Sequence, residues 1–261
     1  MDLVKAHAYG NDFLLGEEPD ALADAATLAR RVCDRHRGIG ADGLILYRPT
    51  MRGASMRLLN ADGSYSEISG NGIRCLAALL ASRSPHQQRF LIETDAGVKT
   101  LDLMALKGKG VTFRAAMGQP EQIEQVTLTG PETCLVVTLR VGNPQCVMLV
   151  GPDDLTETNL HRYGPFLAKH PHFPAGTNVE LAFVENPGRV NILIWERGVG
   201  PTEASGTGAC AAAVAAAAHG GASRDVEVRS PGGSQRVEWL DDGLYLTGAA
   251  ELICAVTYEE V

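Results

Sequence analysis

Two short runs carry residue types suited to polar chemistry. Ser69-Gly70-Asn71-Gly72 leads into the apolar stretch that begins at Ile73. Ser205-Gly206-Thr207-Gly208 leads into the Ala-rich run 209–218. The first turn of a helix has backbone N–H groups without intrahelical acceptors, and the peptide dipoles add about half a positive charge there. Glycine lets a ligand approach that backbone closely, so S-G-x-G opening a helix can cradle an anion. Serine is also a favoured helix N-cap, and a single such run reads equally as a cap. Two cradles allow more. A carboxylate held by helix starts is stabilised further when a carbanion forms beside it and delocalises onto it. A proton-transfer group at each mouth could then serve opposite faces of one carbon, removing a proton from one side and returning it from the other. That chemistry inverts a stereocentre without a pyridoxal cofactor.

The elements that must position these runs follow from the rest of the chain. Its 261 residues suit one large domain or two smaller ones. Segments 44–47, 55–59, 90–94, 98–103, 111–114, 135–141, 146–150, 179–184, 190–195, 226–229, 235–239 and 244–247 read as strands. They are rich in β-branched residues and bounded by Gly, Pro, Asn or Asp. Segments 22–36, 70–82 and 206–219 read as helices. Strands dominate, so the expected class is α+β. The two S-G-x-G runs lie about half the chain apart, each after a polar loop and before an apolar helix, which points to duplicated halves.

Composition excludes several functions. The formal net charge of −8 disfavours a nucleic-acid partner, which needs a basic face. The ten-residue run 209–218 is too short for a membrane span, which needs about 20. The N-terminal residues lack the pattern of a signal peptide, and six scattered cysteines without a CxxC pair suit a reducing, cytoplasmic setting. The seven histidines form no HxxxH or HExxH cluster, so no metal site is expected.

The motifs together resemble the diaminopimelate epimerase family over nearly the whole chain. The run Gly10-Asn11-Asp12-Phe13 is followed in family order by GIGAD at 38–42, NADGS…GNGxRC across 60–75 and MGxP at 117–120. Then come GNP at 142–144, TNV at 177–179, ERGxG at 196–200, the Gly-x-Gly run at 206–211, PGG at 231–233 and TGxAE at 247–251. The resemblance implies two pseudo-symmetric domains, each a curled sheet wrapped around a central helix, with substrate in the cleft between them. The implied halves are 1–117, rejoined by 250–261, and 118–249. It further implies cofactor-free and metal-free inversion of LL- to meso-diaminopimelate in lysine and cell-wall precursor synthesis, by a protein that is often a homodimer. By matching positions, Asn11, Asn60, Asn143 and Asn178 bind substrate, and Glu196 and Arg197 hold its distal end. Gly70 and Asn71, with Gly206 and Thr207, form the two carboxylate cradles.

The chain departs from the family at both proton-transfer positions and after GNP. The family has a cysteine before each Gly-x-Gly; here Ser69 and Ser205 stand at the two proton-transfer positions, with Glu196 the ionisable neighbour. Cys75 and Cys210 fall in the following helical turns, where a packing role is expected. A thiol ionises near pH ~8.5, and a helix start lowers that further. A gap of roughly five pKa units to a hydroxyl costs about 7 kcal/mol, or about five orders of magnitude in rate. The family's histidine after GNP is Gln145, which cannot titrate. The expectation is therefore an epimerase-type isomerase whose turnover is slowed or lost. Two other readings stay open: a lyase or dehydratase acting on a hydroxylated amino acid, which needs only one base, and a non-catalytic amino-acid-binding homologue.

Overall fold

In the computed structural model, residues 1–20, 24–66, 69–95, 97–107 and 110–259 are described. The chain divides into two compact units: Met1–Ala115 with Gly248–Val261, and Ala116–Thr247.

The first unit holds strands β1 (Asp2–Ala8), β2 (Asn11–Glu17), β3 (Gly43–Thr50), β4 (Gly53–Asn60), the short β5 (Tyr65–Ser66), β6 (Arg89–Thr94), β7 (Gly97–Lys107) and most of β8 (Gly110–Gly118). β1 and β2 are antiparallel, β3 runs parallel to β2, and β4 returns antiparallel. β6 then runs parallel to β4, with β7 and β8 antiparallel beyond it. The last strand, β17 (Gly243–Thr257), pairs with both β8 and β1, so eight strands close into a barrel. Closure leaves the barrel no sheet edge.

Helix α2 (Gly70–Arg83) crosses from β4 to β6 and lies inside this barrel. Its Ile73, Cys75, Leu76, Ala77, Ala78, Leu79 and Ala81 are buried against alternate strand residues such as Phe13, Leu15, Ile45, Tyr47, Phe90 and Phe113. This period-two pattern follows from the strand pleat. Residues of opposite parity, among them Leu14, Leu44 and Leu46, pack outward against α1 (Ala25–Cys33). β3 is thus buried on both faces, which is why it reads as a continuous apolar run.

The second unit repeats the plan. β10 (Thr133–Val141) and β11 (Asn143–Leu149) are antiparallel, β12 (Asn178–Asn186) is parallel to β11, and β13 (Arg189–Glu196) is antiparallel to β12. β15 (Asp225–Ser230) is parallel to β13, and β16 (Gly233–Leu240) is antiparallel to β15 and to β17. β9 (Glu121–Thr129) pairs with β10, and the short β14 (Gly200–Thr202) pairs with β13 as β5 does with β4. Helix α4 (Gly206–His219) is the enclosed helix here, and ten of its fourteen residues are buried. Its alanines give a narrow cylinder that the strands can approach closely. The echo between the two S-G-x-G runs therefore reflects two units of the same α+β design.

Some elements differ from the sequence expectation. The segment expected at 22–36 is helical only as α1, capped by Asp24; Leu22 lies outside the described residues. The helix stops because Asp34 accepts from the His36 and Arg37 amides and turns the chain. β1, β2, β5, β9 and β14 were not foreseen, nor was α3 (Glu157–Ala168). Gly164 and Pro165 hid α3, because both read as helix breakers. Its face packs Leu160, Leu167 and Ala168 inward. No helix among the described residues is long and apolar enough to cross a membrane.

Candidate active site

In each unit the repeated topology gathers the expected site residues at one end. In the second unit, the parallel strands β11 and β12 begin with Asn143 and Asn178, and antiparallel β13 ends with Glu196. Helix α4 then starts at the same end, capped by Ser205. In the first unit, Asn11 begins β2, Asn60 ends β4, and Ser69 caps α2. Register places Asn60 of the first unit where the second has Glu196: Asn60 opposes Gly43, and Glu196 follows the Trp195–Val179 pair.

Both serines are N-caps. Ser69 has extended backbone (φ −134°, ψ 123°), and its Oγ accepts from Gly72 N at 3.1 Å. Ser205 has nearly the same backbone (φ −138°, ψ 129°), and its Oγ accepts from Gly208 N at 3.2 Å. Accepting an amide leaves each hydroxyl proton available for donation. Gly70 and Asn71, and likewise Gly206 and Thr207, occupy the first two helical positions, whose N–H groups have no acceptor within the helix. At Gly70 a Cβ would meet nothing within 4 Å. At Gly208 it would lie 2.7 Å from Glu180 Oε1, so only glycine fits there without displacement.

Around α2, Asn71 is buried and its Nδ2 donates to Asn11 Oδ1 at 3.1 Å. Its Oδ1 accepts from the buried Arg74, whose guanidinium lies over the Tyr9 ring. Asn11 Nδ2 donates to Asp42 Oδ2 at 2.8 Å. Asp42 and Asp12 share Arg35, and Lys5 also bridges Asp12. Burial works against the Asp12 charge, but Arg35 and Lys5 prevail and hold its carboxyl below the ordinary range. Asn60 is exposed and engaged in a local turn, donating to Ser64 Oγ at 2.9 Å. The sequence reading missed this supporting set, because Lys5, Arg35, Asp42 and Arg74 meet only through the fold.

Around α4, the half-buried Glu196 is pushed above the ordinary carboxylate range by burial, and the Ser205 hydroxyl donating to it offsets part of that rise. Ser205 Oγ also lies 3.5 Å from Thr207 Oγ1. Ser69 has no such ionisable neighbour at the matching position, since Asn60 stands there. Asn178 Oδ1 accepts from Arg197 N at 2.9 Å, and Arg197 Nη1 donates to Ala175 O at 2.7 Å. Gln145 is fully buried; its Nε2 donates to Asn143 Oδ1 at 2.6 Å, while its Oε1 has no partner among the described residues. Cys75 and Cys210 are fully buried in the cores, and burial pushes the Cys75 thiol up to about 12.

The sequence reading passed over one more residue. Glu180 is fully buried in β12, and neither carboxylate oxygen has a hydrogen-bond partner among the described residues. Burial, and then the Glu196 charge, raise its pKa well above the carboxylate range. Its only sequence signal was an acid inside the apolar run Val179-Glu180-Leu181-Ala182.

Solved structures of isomerases share this architecture. A protein described as a predicted epimerase from Pseudomonas aeruginosa matches with a TM-score of 0.73 at 16% identity, covering 100% of this chain and 99% of that one. A probable proline racemase from Agrobacterium radiobacter matches with a TM-score of 0.71 at 16% identity, covering 99% and 92%. At these identities the likeness establishes the fold, one shared with proteins described as an epimerase and a racemase. The family model described as "Diaminopimelate epimerase" matches residues 3–123 and 137–253. The diaminopimelate epimerase of Desulforudis audaxviator is 41% identical, with 96% of each chain covered. That of Desulfitobacterium hafniense is 40% identical, covering 97% of this chain and 96% of its own. The chain belongs to the diaminopimelate epimerase family.

Proposed function

We propose that this protein is an isomerase that inverts the α-carbon of diaminopimelate, interconverting the LL and meso forms without a pyridoxal cofactor, and that it does so slowly. The observation that carries the reading is the pair of serine-capped Gly-x-Gly helix starts, each set among asparagines at the same end of its barrel. Each helix mouth offers amides for the α-carboxylate, at Gly70 and Asn71 and at Gly206 and Thr207. Ser69 and Ser205 stand at the two proton-transfer positions.

At Ser205 the step runs through Glu196. The Cα–H bond breaks, Oγ takes that proton, and the hydroxyl proton passes to the Glu196 carboxylate. The carbanion's charge delocalises onto the substrate carboxylate at the helix start. At Ser69 no carboxylate assists among the described residues, since Asn60 stands at the matching position, so that half of the exchange is the slower one. Gln145 Oε1, a buried acceptor without a partner among the described residues, suits the substrate ammonium. Asn11, Asn60, Asn143 and Asn178 supply further donors and acceptors, and Arg197 serves the distal end of the substrate. A cytoplasmic homodimer is the setting that accords with this reading.

The test is incubation with LL-diaminopimelate in deuterated water, followed by mass spectrometry. Slow α-deuterium incorporation is expected, rising by about three orders of magnitude or more in the Ser69→Cys/Ser205→Cys double variant. No incorporation in either protein would overturn the isomerase reading. Stereoselective binding without exchange in either protein would identify a binding homologue instead.

A further inference from the structure

The repeat lets each residue of one unit be compared with its counterpart in the other. Val147 of β11 opposes Glu180, as Leu15 of β2 opposes Ile45. Both counterparts point at the first turn of the enclosed helix. A Cβ at Gly72 would lie 2.9 Å from Ile45 Cδ1, and one at Gly208 would lie 2.7 Å from Glu180 Oε1. The first unit thus fills this position with hydrocarbon, so packing alone does not require an acid. The second unit places there a fully buried carboxyl whose oxygens have no hydrogen-bond partner among the described residues.

Glu180 also has a specific neighbour. It opposes Ile194 on β13, and Glu196 follows two residues later on the same inward face. Diagonal cross-strand pairs of this kind lie within reach of long side chains. Among the described residues, the titratable groups around Glu180 are few. They are Glu196 on β13 and Cys146 on β11, whose thiol is raised by burial and by Glu180. Helix α4 presents Ser205 and Gly208 there, and no ionisable side chain before Cys210. No cation neutralises the pair among these groups, and an apolar interior does not hold two adjacent carboxylates.

We infer that Glu180 is a positioning residue: as a neutral acid beneath the first turn of α4, it is the polar neighbour that lets Glu196 carry its negative charge beside Ser205. Its part in catalysis rests on the epimerase reading above, but its protonation does not.

The test therefore uses the free protein. Infrared spectroscopy with 13C-labelled glutamate separates protonated from ionised carboxyls. A protonated-carboxyl band is expected at pH 7 in the unaltered chain, retained in Glu196→Gln and lost in Glu180→Gln. The Glu196 titration, identified by its absence from Glu196→Gln, stays close to its original midpoint in Glu180→Gln, which keeps a neutral polar group. In Glu180→Ile, which copies Ile45, it moves upward by about one pH unit or more, because hydrocarbon solvates a charge less well. A residue that merely fills space moves neither quantity. Absence of the band, its loss in Glu196→Gln alone, or equal Glu196 midpoints in the Gln and Ile variants would overturn the inference. Catalytic exchange enters none of these readouts, so their failure is distinct from failure of the epimerase reading.

Discussion

Glu180 makes the stability of this protein depend on pH with a defined sign. Its folded pKa lies well above its unfolded value, chiefly because burial disfavours the charge. Between those two values the folded chain keeps a proton that the unfolded chain has released. Stability therefore falls as pH rises through this window and levels off only once the folded carboxyl ionises. Glu196, also raised by burial, contributes with the same sign. The melting temperature is expected to drop as pH rises from about 5 to about 8, and to drop less steeply in Glu180→Gln. Scanning calorimetry across that range checks it; identical slopes would place the Glu180 proton elsewhere.

At the scale of the element, the two enclosed helices depend on the hydroxyls that stand at the proton-transfer positions. Ser69 and Ser205 each bond the third amide of the helix that follows. Replacing either by Ala is expected to cost about 1 kcal/mol, and replacing it by Gly only a few tenths. Urea titration of the single variants measures this. Ser205→Ala removes in addition the donor to Glu196, so the Glu196 carboxyl rises further; Ser69→Ala has no counterpart effect, because Asn60 stands at that position. A cysteine caps less well than serine, so the double cysteine variant should exchange protons faster and unfold more readily. The same side chain cannot be both the best cap and the best base.

At the scale of the whole molecule, the end of the chain decides whether the first barrel closes. β17 pairs with β1 along Asp2–His7 and also with β8. Removing residues 248–261 leaves β1 and β8 as open edges, and exposed edges invite aggregation. Limited proteolysis of that truncated chain is expected to cleave within residues 1–115 much faster than in the full chain. Cleavage within 116–247, which keeps α4 and its surrounding strands, should rise less. Equal protection of both segments would show that closure by β17 contributes little to the first unit.

The sequence alone determined the class of fold, the three principal helices, most of the strands and the two helix starts. These are local properties: alternation follows from the pleat, a cap from one side chain near its own amide, and a glycine-rich start from the backbone it frees. Motif order over the whole length was likewise enough to place the chain in its family. The helix α3 escaped because Gly164 and Pro165 mimic a break. Only the tertiary structure decided the difference between the two serines. Register sets Glu196 beside one and Asn60 at the matching position of the other, and this depends on which strands run parallel. Only the fold, too, gave Glu180 its meaning, since an acid in a strand is ordinary until burial removes water from its carboxyl.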